Sequence, residues 1–317
     1  MVEAPALRVV FFGTPAFAVP TLEALLASRH PVVGVVTQPD RPRGRGQQVG
    51  EGPVKARAVA AGLPVLQPDR LKDPTFVDSL RTWGSDLGVV AAYGKILTDA
   101  VLAVPRLGMI NVHASLLPKY RGAAPVHRAV IAGETETGVT IMRVVKALDA
   151  GPMLATATRA IGPDESSDVV ERDLSALGAR LLVATLDDVA AGRAAEFPQD
   201  DRAATYAHRL TKEEGLIDWS QPAQAIHNRI RGLHPWPHAY SFVNGRRLIL
   251  LRSVCQPGAR HVPGTIVEAH GDRLTVATGD GVLQLLTVQP EGKRPMSARE
   301  FLAGRPLAAG DRFTASP

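Results

Sequence analysis

The chain has 317 residues, 45% hydrophobic and 21% charged, which allows two packed domains and excludes a disordered or fibrous protein. Its one cysteine, Cys255, excludes an internal disulfide and a cysteine-based zinc site. The net charge of +5 lies in the C-terminal third, because residues 1–208 carry 22 Lys+Arg against 22 Asp+Glu and residues 209–317 carry 14 against 9; a basic end on a neutral body points to an anionic partner.

The chain starts without the basic residues and apolar core of a signal peptide. The apolar stretch 9–22 is broken by Gly13, Pro15 and Pro20 and is shorter than the ~20 residues that span a bilayer. A soluble cytoplasmic protein with no membrane partner is expected. Residues 7–12 read as a buried strand, Gly13-Thr14-Pro15 as a turn and 17–26 as a helix, followed by a second buried strand over 32–36. This βα unit lacks the G-x-G-x-x-G spacing that lets a backbone approach a pyrophosphate, so NAD and FAD are excluded.

From Thr37 to Gly52 the chain forms a loop longer than the usual βα connection, with Arg41, Arg43 and Arg45 at alternate positions. Such spacing suits phosphate and base-edge contacts. Helices are predicted over 54–61 and 74–83, and strands over 64–66, 86–92 and 108–113. A helix over 125–132, strands over 137–145 and 153–161 and a long helix over 166–190 follow. Alternating strands and helices predict an α/β, doubly wound, mostly parallel sheet of Rossmann-like kind over residues 1–191. Apolar periodicity fades across 192–208, the expected linker. Beyond it come a helix over 222–230 and short strands separated by turns such as Asn244-Gly245 and Pro263-Gly264, which predict a small OB-like β-barrel over 209–317.

One stretch concentrates the chemistry. Asn111 and His113 end an apolar strand and stand two apart, so they share a face. An amide donor and an imidazole that titrates near neutrality then converge on one reacting atom, as acyl-type transfer requires. Asp149, in Leu148-Asp149-Ala150-Gly151, can orient that imidazole and stabilise its protonated form.

Asn111-Val112-His113-Ala114-Ser115-Leu116-Leu117-Pro118, then Arg121-Gly122 and Asp149-x-Gly151, resemble the folate-dependent formyltransferases. Phe12-Gly13-Thr14-Pro15, Gln38-Pro39-Asp40-Arg41-Pro42, Pro53-Val54-Lys55, Ala92-Tyr93-Gly94, Gly122-Ala123-Ala124-Pro125, Ile217-Asp218-Trp219 and Pro235-Trp236-Pro237 are similar to the branch acting on methionyl initiator tRNA. The resemblance runs from about Val9 to about Arg312. It departs at Ala114, where Gly is frequent, at Lys119-Tyr120, where Arg-Trp is frequent, and at Ala150, where Thr is frequent; Ala114 should have an ordinary backbone.

The resemblance implies transfer of formyl from 10-formyltetrahydrofolate, the co-substrate, to the α-amine of methionyl initiator tRNA by a monomer without a metal. It implies that Asn111 donates to the oxyanion, His113 shuttles the proton and Asp149 holds the ring. Ser115, Leu116, Leu117, Pro118, Val90 and Tyr93 would line the folate pocket. Arg41, Arg43 and Arg45 would enter the acceptor stem as a tongue, and the C-terminal barrel would hold the tRNA backbone. Two rivals share parts of this pattern: a formyltransferase acting on a small amine such as an aminosugar nucleotide, and a noncatalytic RNA-binding module. The arginine-rich tongue and Gly122-Ala123-Ala124-Pro125 favour tRNA over the first, and the intact Asn111, His113 and Asp149 set is not required by the second.

Overall fold

The structure, a computed structural model, describes residues 4–43, 48–305 and 307–317. Its contacts divide the chain into two units, Met1–Pro125 with Thr137–Arg159 and Glu171–Ala207, and Val126–Glu136 with Ala160–Val170 and His208–Pro317.

The first unit is built on a seven-stranded sheet in the order Met153–Ala160, Glu136–Arg143, Met109–His113, Leu87–Ala91, Val9–Gly13, Val32–Val36, Val65–Leu66. Val9–Gly13 is buried throughout, and its unbroken apolar run is what a strand covered on both faces needs. It pairs in parallel with Val32–Val36 on one side and Leu87–Ala91 on the other. Met109–His113 continues the parallel set but pairs antiparallel with Glu136–Arg143. The mostly parallel α/β sheet read from the sequence is therefore present.

The chain winds outward from Val9–Gly13 through helices Val19–Ala27 and Pro53–Ala60, then returns through helix Pro74–Thr82 to Leu87–Ala91 on the opposite side. Direction reverses between Val9–Gly13 and Leu87–Ala91. At such a switch point the loops beyond the carboxyl ends diverge and leave a crevice for ligands.

Two helices escape the sequence reading. Asp99–Leu102 is a single turn, with Thr98 Oγ1 accepting from Val101 N at 3.4 Å. Ala298–Gly304 opens on a reciprocal cap in which Ser297 Oγ accepts from Glu300 N and Glu300 Oε2 accepts from Ser297 N. The loop after Val36 holds a two-residue ladder, Pro42–Arg43 against Gln48–Val49. Residues 192–207 lie along the first unit, where Phe197 bridges Met153 and Tyr206–Ala207 pairs in parallel with Arg121–Gly122.

The second unit is an antiparallel sheet in the order Ile266–His270, Arg273–Ala277, Val282–Pro290, Arg246–Gln256, Ala239–Val243, Phe313–Thr314. Register shifts around Arg252 bend its longest strand. The last strand pairs with Phe242 and Val243, while Phe313 N donates to Gly264 O and Ile266 N to Asp311 O, so the sheet curls into a half-barrel. Leu248, Leu250, Val276, Leu283, Leu285 and Val288 fill it. Trp219 packs on Phe313 at 5.1 Å, and its indole N–H donates to Ser241 Oγ at 3.0 Å, which satisfies the one polar atom it buries. Among the described residues no helix is long and apolar enough to cross a membrane.

Candidate active site

His113 closes strand Met109–His113 at its carboxyl end, and Asn111 lies two residues earlier, half-buried. The chain then leaves the sheet in a loop whose polar groups are nearly all committed. Thr140, opposite His113 in register, donates through Oγ1 to Ser115 O at 2.7 Å and accepts from Leu117 N at 3.1 Å. Ser115 Oγ donates to Lys119 O at 2.6 Å. A buried turn bonded in this way holds its shape, as a site on rigid elements must. Ala114 is absent from the positive-φ residues, as expected.

Farther on, Tyr120 takes φ 61 and Gly122 φ 120. Tyr120 N donates to Thr205 Oγ1 at 2.9 Å, and Ala123 N to Ala207 O at 2.9 Å. This turn brings the Tyr120 carbonyl to 3.0 Å from His113 Nε2. A carbonyl only accepts, so Nε2 carries the proton, and in the neutral ring Nδ1 is left with its lone pair. Nδ1 faces Asp149 Oδ2 at 3.7 Å, beyond a direct hydrogen bond.

Asp149 is held from two directions. Its Oδ2 accepts from Gly122 N at 2.8 Å. Its carbonyl accepts from Gln199 Nε2 at 2.8 Å, and the same nitrogen donates to Gly151 O at 2.7 Å. Its own backbone is left-handed, φ 48, which aspartate tolerates better than most residues. A Cβ at Gly151 would fall 1.9 Å from Arg143 O, and one at Gly122 2.8 Å from Ala207 O, so both positions require glycine. Gln199 is itself fixed by Arg121, whose Nε and Nη2 donate to its Oε1 at 3.0 and 2.8 Å and whose Nη2 also reaches Asp201 at 2.7 Å. The two φ-positive non-glycine residues here, Tyr120 and Asp149, are the two partners of the imidazole. Backbone strain of this kind persists only where surrounding bonds over-determine it, and it concentrates at functional sites.

The residues read as folate-lining divide into two groups. Val90, Leu116 and Pro118 are half-buried and offer apolar surface, and Leu117 is buried. Ser115 is fully buried with its hydroxyl already bonded. Tyr93 is 1% exposed, stands edge-on to Phe12 at 5.4 Å, and its hydroxyl has no partner among the described residues. Burial pushes that phenol up to about 12. It is the Tyr93 carbonyl that faces the loops, accepting from Thr14 Oγ1 at 3.2 Å and Gln38 Nε2 at 2.7 Å.

Of the three tongue arginines, Arg41 is exposed, Arg43 lies in the short ladder, and Arg45 falls outside the described residues. The base of this loop is pinned by an ion pair between Asp40 and Lys55, with Gly52 N donating to Asp40 Oδ1 at 3.4 Å. The Lys55 ammonium, through its hydrogen bond, holds the Asp40 carboxyl below its ordinary range. A cavity of about 500 Å³ lies elsewhere, lined by second-unit residues including Asp164, Glu165 and Arg252, and contains none of the candidate catalytic groups. Chemistry rather than volume therefore locates the site.

Sequence reasoning missed the Tyr120 carbonyl, the Gly122 N–H, Thr140 and Gln199. Backbone atoms leave no sequence signal of their own, although Gly122 lies in the Arg-Gly motif already singled out.

Residues 7–186 match the family model described as formyl transferase, and residues 209–306 match the formyl transferase C-terminal domain. Methionyl-tRNA formyltransferase of Moorella thermoacetica is 48% identical over 306 residues, covering 96% of this chain and 98% of that one. The enzyme of the same name from Heliobacterium modesticaldum is 48% identical over 316 residues, covering 97% and 100%. Among solved structures, HypX from Aquifex aeolicus in complex with tetrahydrofolic acid has a TM-score of 0.65 at 16% identity, over 98% of this chain and 51% of HypX, so the chain spans about half of that protein. An N-formyltransferase from Helicobacter canadensis has a TM-score of 0.65 at 15% identity, over 88% of this chain and 99% of its own. These structural likenesses carry the fold alone. With both formyl transferase models matched in order, and relatives close to half identical along nearly the whole length, the chain belongs to the methionyl-tRNA formyltransferase family.

Proposed function

We propose that Asn111, His113 and Asp149 carry out the reaction of this family, transfer of the formyl group of 10-formyltetrahydrofolate to the α-amine of methionyl initiator tRNA to give N-formylmethionyl-tRNA for translation initiation. The folate supplies an activated formyl carbonyl. An α-amine has a pKa near ~8, so a usable fraction is neutral at neutral pH, and the protein's tasks are to place it, to accept its proton and to stabilise charge on the carbonyl oxygen. The half-buried Asn111 amide is the donor for that oxygen. His113 Nδ1 is the base, because Nε2 is committed to the Tyr120 carbonyl. Asp149 Oδ2, 3.7 Å away, balances the positive charge the ring gains, and Nδ1 then returns the proton to the leaving nitrogen.

The side chains present fit a folate: Val90, Leu116, Leu117 and Pro118 would give it an apolar wall. Ser115 and Tyr93 would contribute through the backbone, since their side chains are already buried. Arg41, Arg43 and Arg45 would contact tRNA phosphates or base edges, and the basic residues of 209–317 would hold the remaining backbone. In this reading residues 1–191 carry the catalytic groups, 192–208 link them to 209–317 while bonding Asp149 and Tyr120 through Gln199 and Thr205, and the protein works as a monomer in the cytoplasm.

The observation that carries the proposal is the pairing of a tautomer-fixed His113 with Asp149, whose Oδ2 stands 3.7 Å from the Nδ1 that takes the proton. The test is a formyl-transfer assay with 10-formyltetrahydrofolate and three acceptors: methionyl initiator tRNA, free methionine and an aminosugar nucleotide. Transfer to the tRNA alone is expected. Transfer to the small amine alone would keep the catalytic residues and overturn the substrate.

A further inference from the structure

In the second unit, helix Ala223–Gly232 is followed by a tight loop, Leu233-His234-Pro235-Trp236-Pro237-His238, closed by His238 N donating to Leu233 O at 3.0 Å. The His234 and His238 rings meet at a tilt of 49°, their centroids 5.2 Å apart. Prolines on both sides fix φ around Trp236. That indole is 49% exposed, whereas Trp219 in the same unit is 5% exposed. Its N–H donates to no acceptor among the described residues, although a tryptophan set on a fixed loop in water gains little stability for its fold.

The strand that follows carries the second half of the arrangement. Along Ala239–Val243, Ala239, Ser241 and Val243 point inward while Tyr240 and Phe242 remain half-exposed on the outer face, edge-on at 6.0 Å. Arg247, paired with Phe242 in register, lays its guanidinium 3.8 Å over the Tyr240 ring. It forms no ion pair among the described residues, and its Nε is buried without a hydrogen bond. The Nδ1 atoms of His234 and His238 are likewise buried and have no partner among the described residues. Asp168 Oδ1 stands 3.9 Å from His234 Nε2. Burial, with His234 and Arg247 close by, holds the His238 imidazole below its ordinary range. The Arg247 Nε is thus a donor without an acceptor among the described residues, set beside aromatic faces. A buried donor left unpaired is costly unless something arrives to satisfy it.

We infer that Trp236 and Arg247 form a nucleotide subsite, in which an unpaired base of the tRNA stacks on the indole and an adjoining phosphate accepts from the guanidinium. The inference rests on the reading of the chain as an enzyme of tRNA. Paired bases are already stacked on their neighbours, so an exposed aromatic face selects a single-stranded nucleotide. A guanidinium flattened on tyrosine keeps an edge free for bidentate phosphate contact. The excess of 14 basic over 9 acidic residues in 209–317 favours a polyanion over an apolar protein segment on this face.

The test uses the full-length protein titrated with a short single-stranded ribo-oligonucleotide and with a blunt RNA duplex of equal length, read by tryptophan fluorescence. The single strand should quench the emission and the duplex much less. In Trp236→Phe the quench should disappear while binding persists, and in Trp236→Ala the affinity should fall about tenfold. Arg247→Met should lower the slope of log affinity against log salt by about one. Single-strand affinity unchanged in Trp236→Ala, a quench that survives in Trp236→Phe, or a preference for the duplex would overturn the subsite. Formylation of methionyl initiator tRNA by the unaltered protein is measured in parallel. Normal formylation with no effect of either Trp236 variant removes only the subsite, whereas no formylation at all removes the function on which it rests.

Discussion

The surroundings of His113 and the outer face of the second unit use polar groups in opposite ways. Around His113 the protein saturates itself: Thr140, Ser115, Gln199 and Arg121 bond to backbone or to one another, and Asp149 accepts from Gly122. On the second unit Arg247 lies on an aromatic ring with a nitrogen unpaired, and Trp236 projects into water. Chemistry at one atom demands fixed donors and acceptors, because a misplacement of about 1 Å can cost ~100-fold. Binding a long polyanion demands cations whose first partner is the ligand. One surface is strong because it is already bonded, the other because it is not.

The comparison breaks most visibly at the saturated site. Asn111→Ala, His113→Ala and Asp149→Ala should each lower kcat by ~100-fold or more in single-turnover formylation, with the KM for tRNA nearly unchanged. Near-normal turnover in the His113 or Asp149 variant would remove that residue from the mechanism. Thr140→Val keeps the shape and deletes the hydroxyl that serves Ser115 O and Leu117 N. Leaving two buried backbone groups unpaired should cost about 3 kcal/mol in urea unfolding, with Thr140→Ser recovering most of it.

Smaller effects sharpen the other side. Neutralising Arg41, Arg43 or Arg45 singly should leave kcat untouched and reduce the salt slope of tRNA binding by about one for each. Three unchanged slopes would count against the tongue as a tRNA contact. The smallest effect belongs to Asp40, whose carboxyl is held low by Lys55. A depressed carboxyl adds stability that is complete above the ordinary carboxylate range and vanishes as pH falls through its lowered pKa. The stability gap between the unaltered protein and Asp40→Asn should therefore be flat from neutrality to about pH 5 and close under stronger acid.

Much of the first unit was legible because buried parallel strands need unbroken apolar runs, and Val9–Phe12 and Leu87–Ala91 have them. Asn111 and His113 could be found because a polar pair at the end of such a run has no packing purpose. Their supports could not, since the Tyr120 carbonyl and the Gly122 N–H are atoms every residue of those kinds possesses. Tyr93 is placed at the folate pocket by the resemblance alone, and its ring lies in the core. Ala92, at φ 45, turns the chain just before it. The signal for helix Ala298–Gly304 was present in Ser297-x-x-Glu300, a capping pair at the correct spacing.

Gln199, Thr205 and Ala207 reach back from far along the chain to hold Asp149, Tyr120 and Ala123. The catalytic half is consequently not a module that ends with its last long helix at Ala190. A fragment stopping at residue 191 would keep Asn111, His113 and Asp149 and lose the clasp that aims them, whereas one carried through Ala207 would retain both. The folding unit and the reacting unit share a boundary only when that late stretch of chain is counted as part of the enzyme's working core.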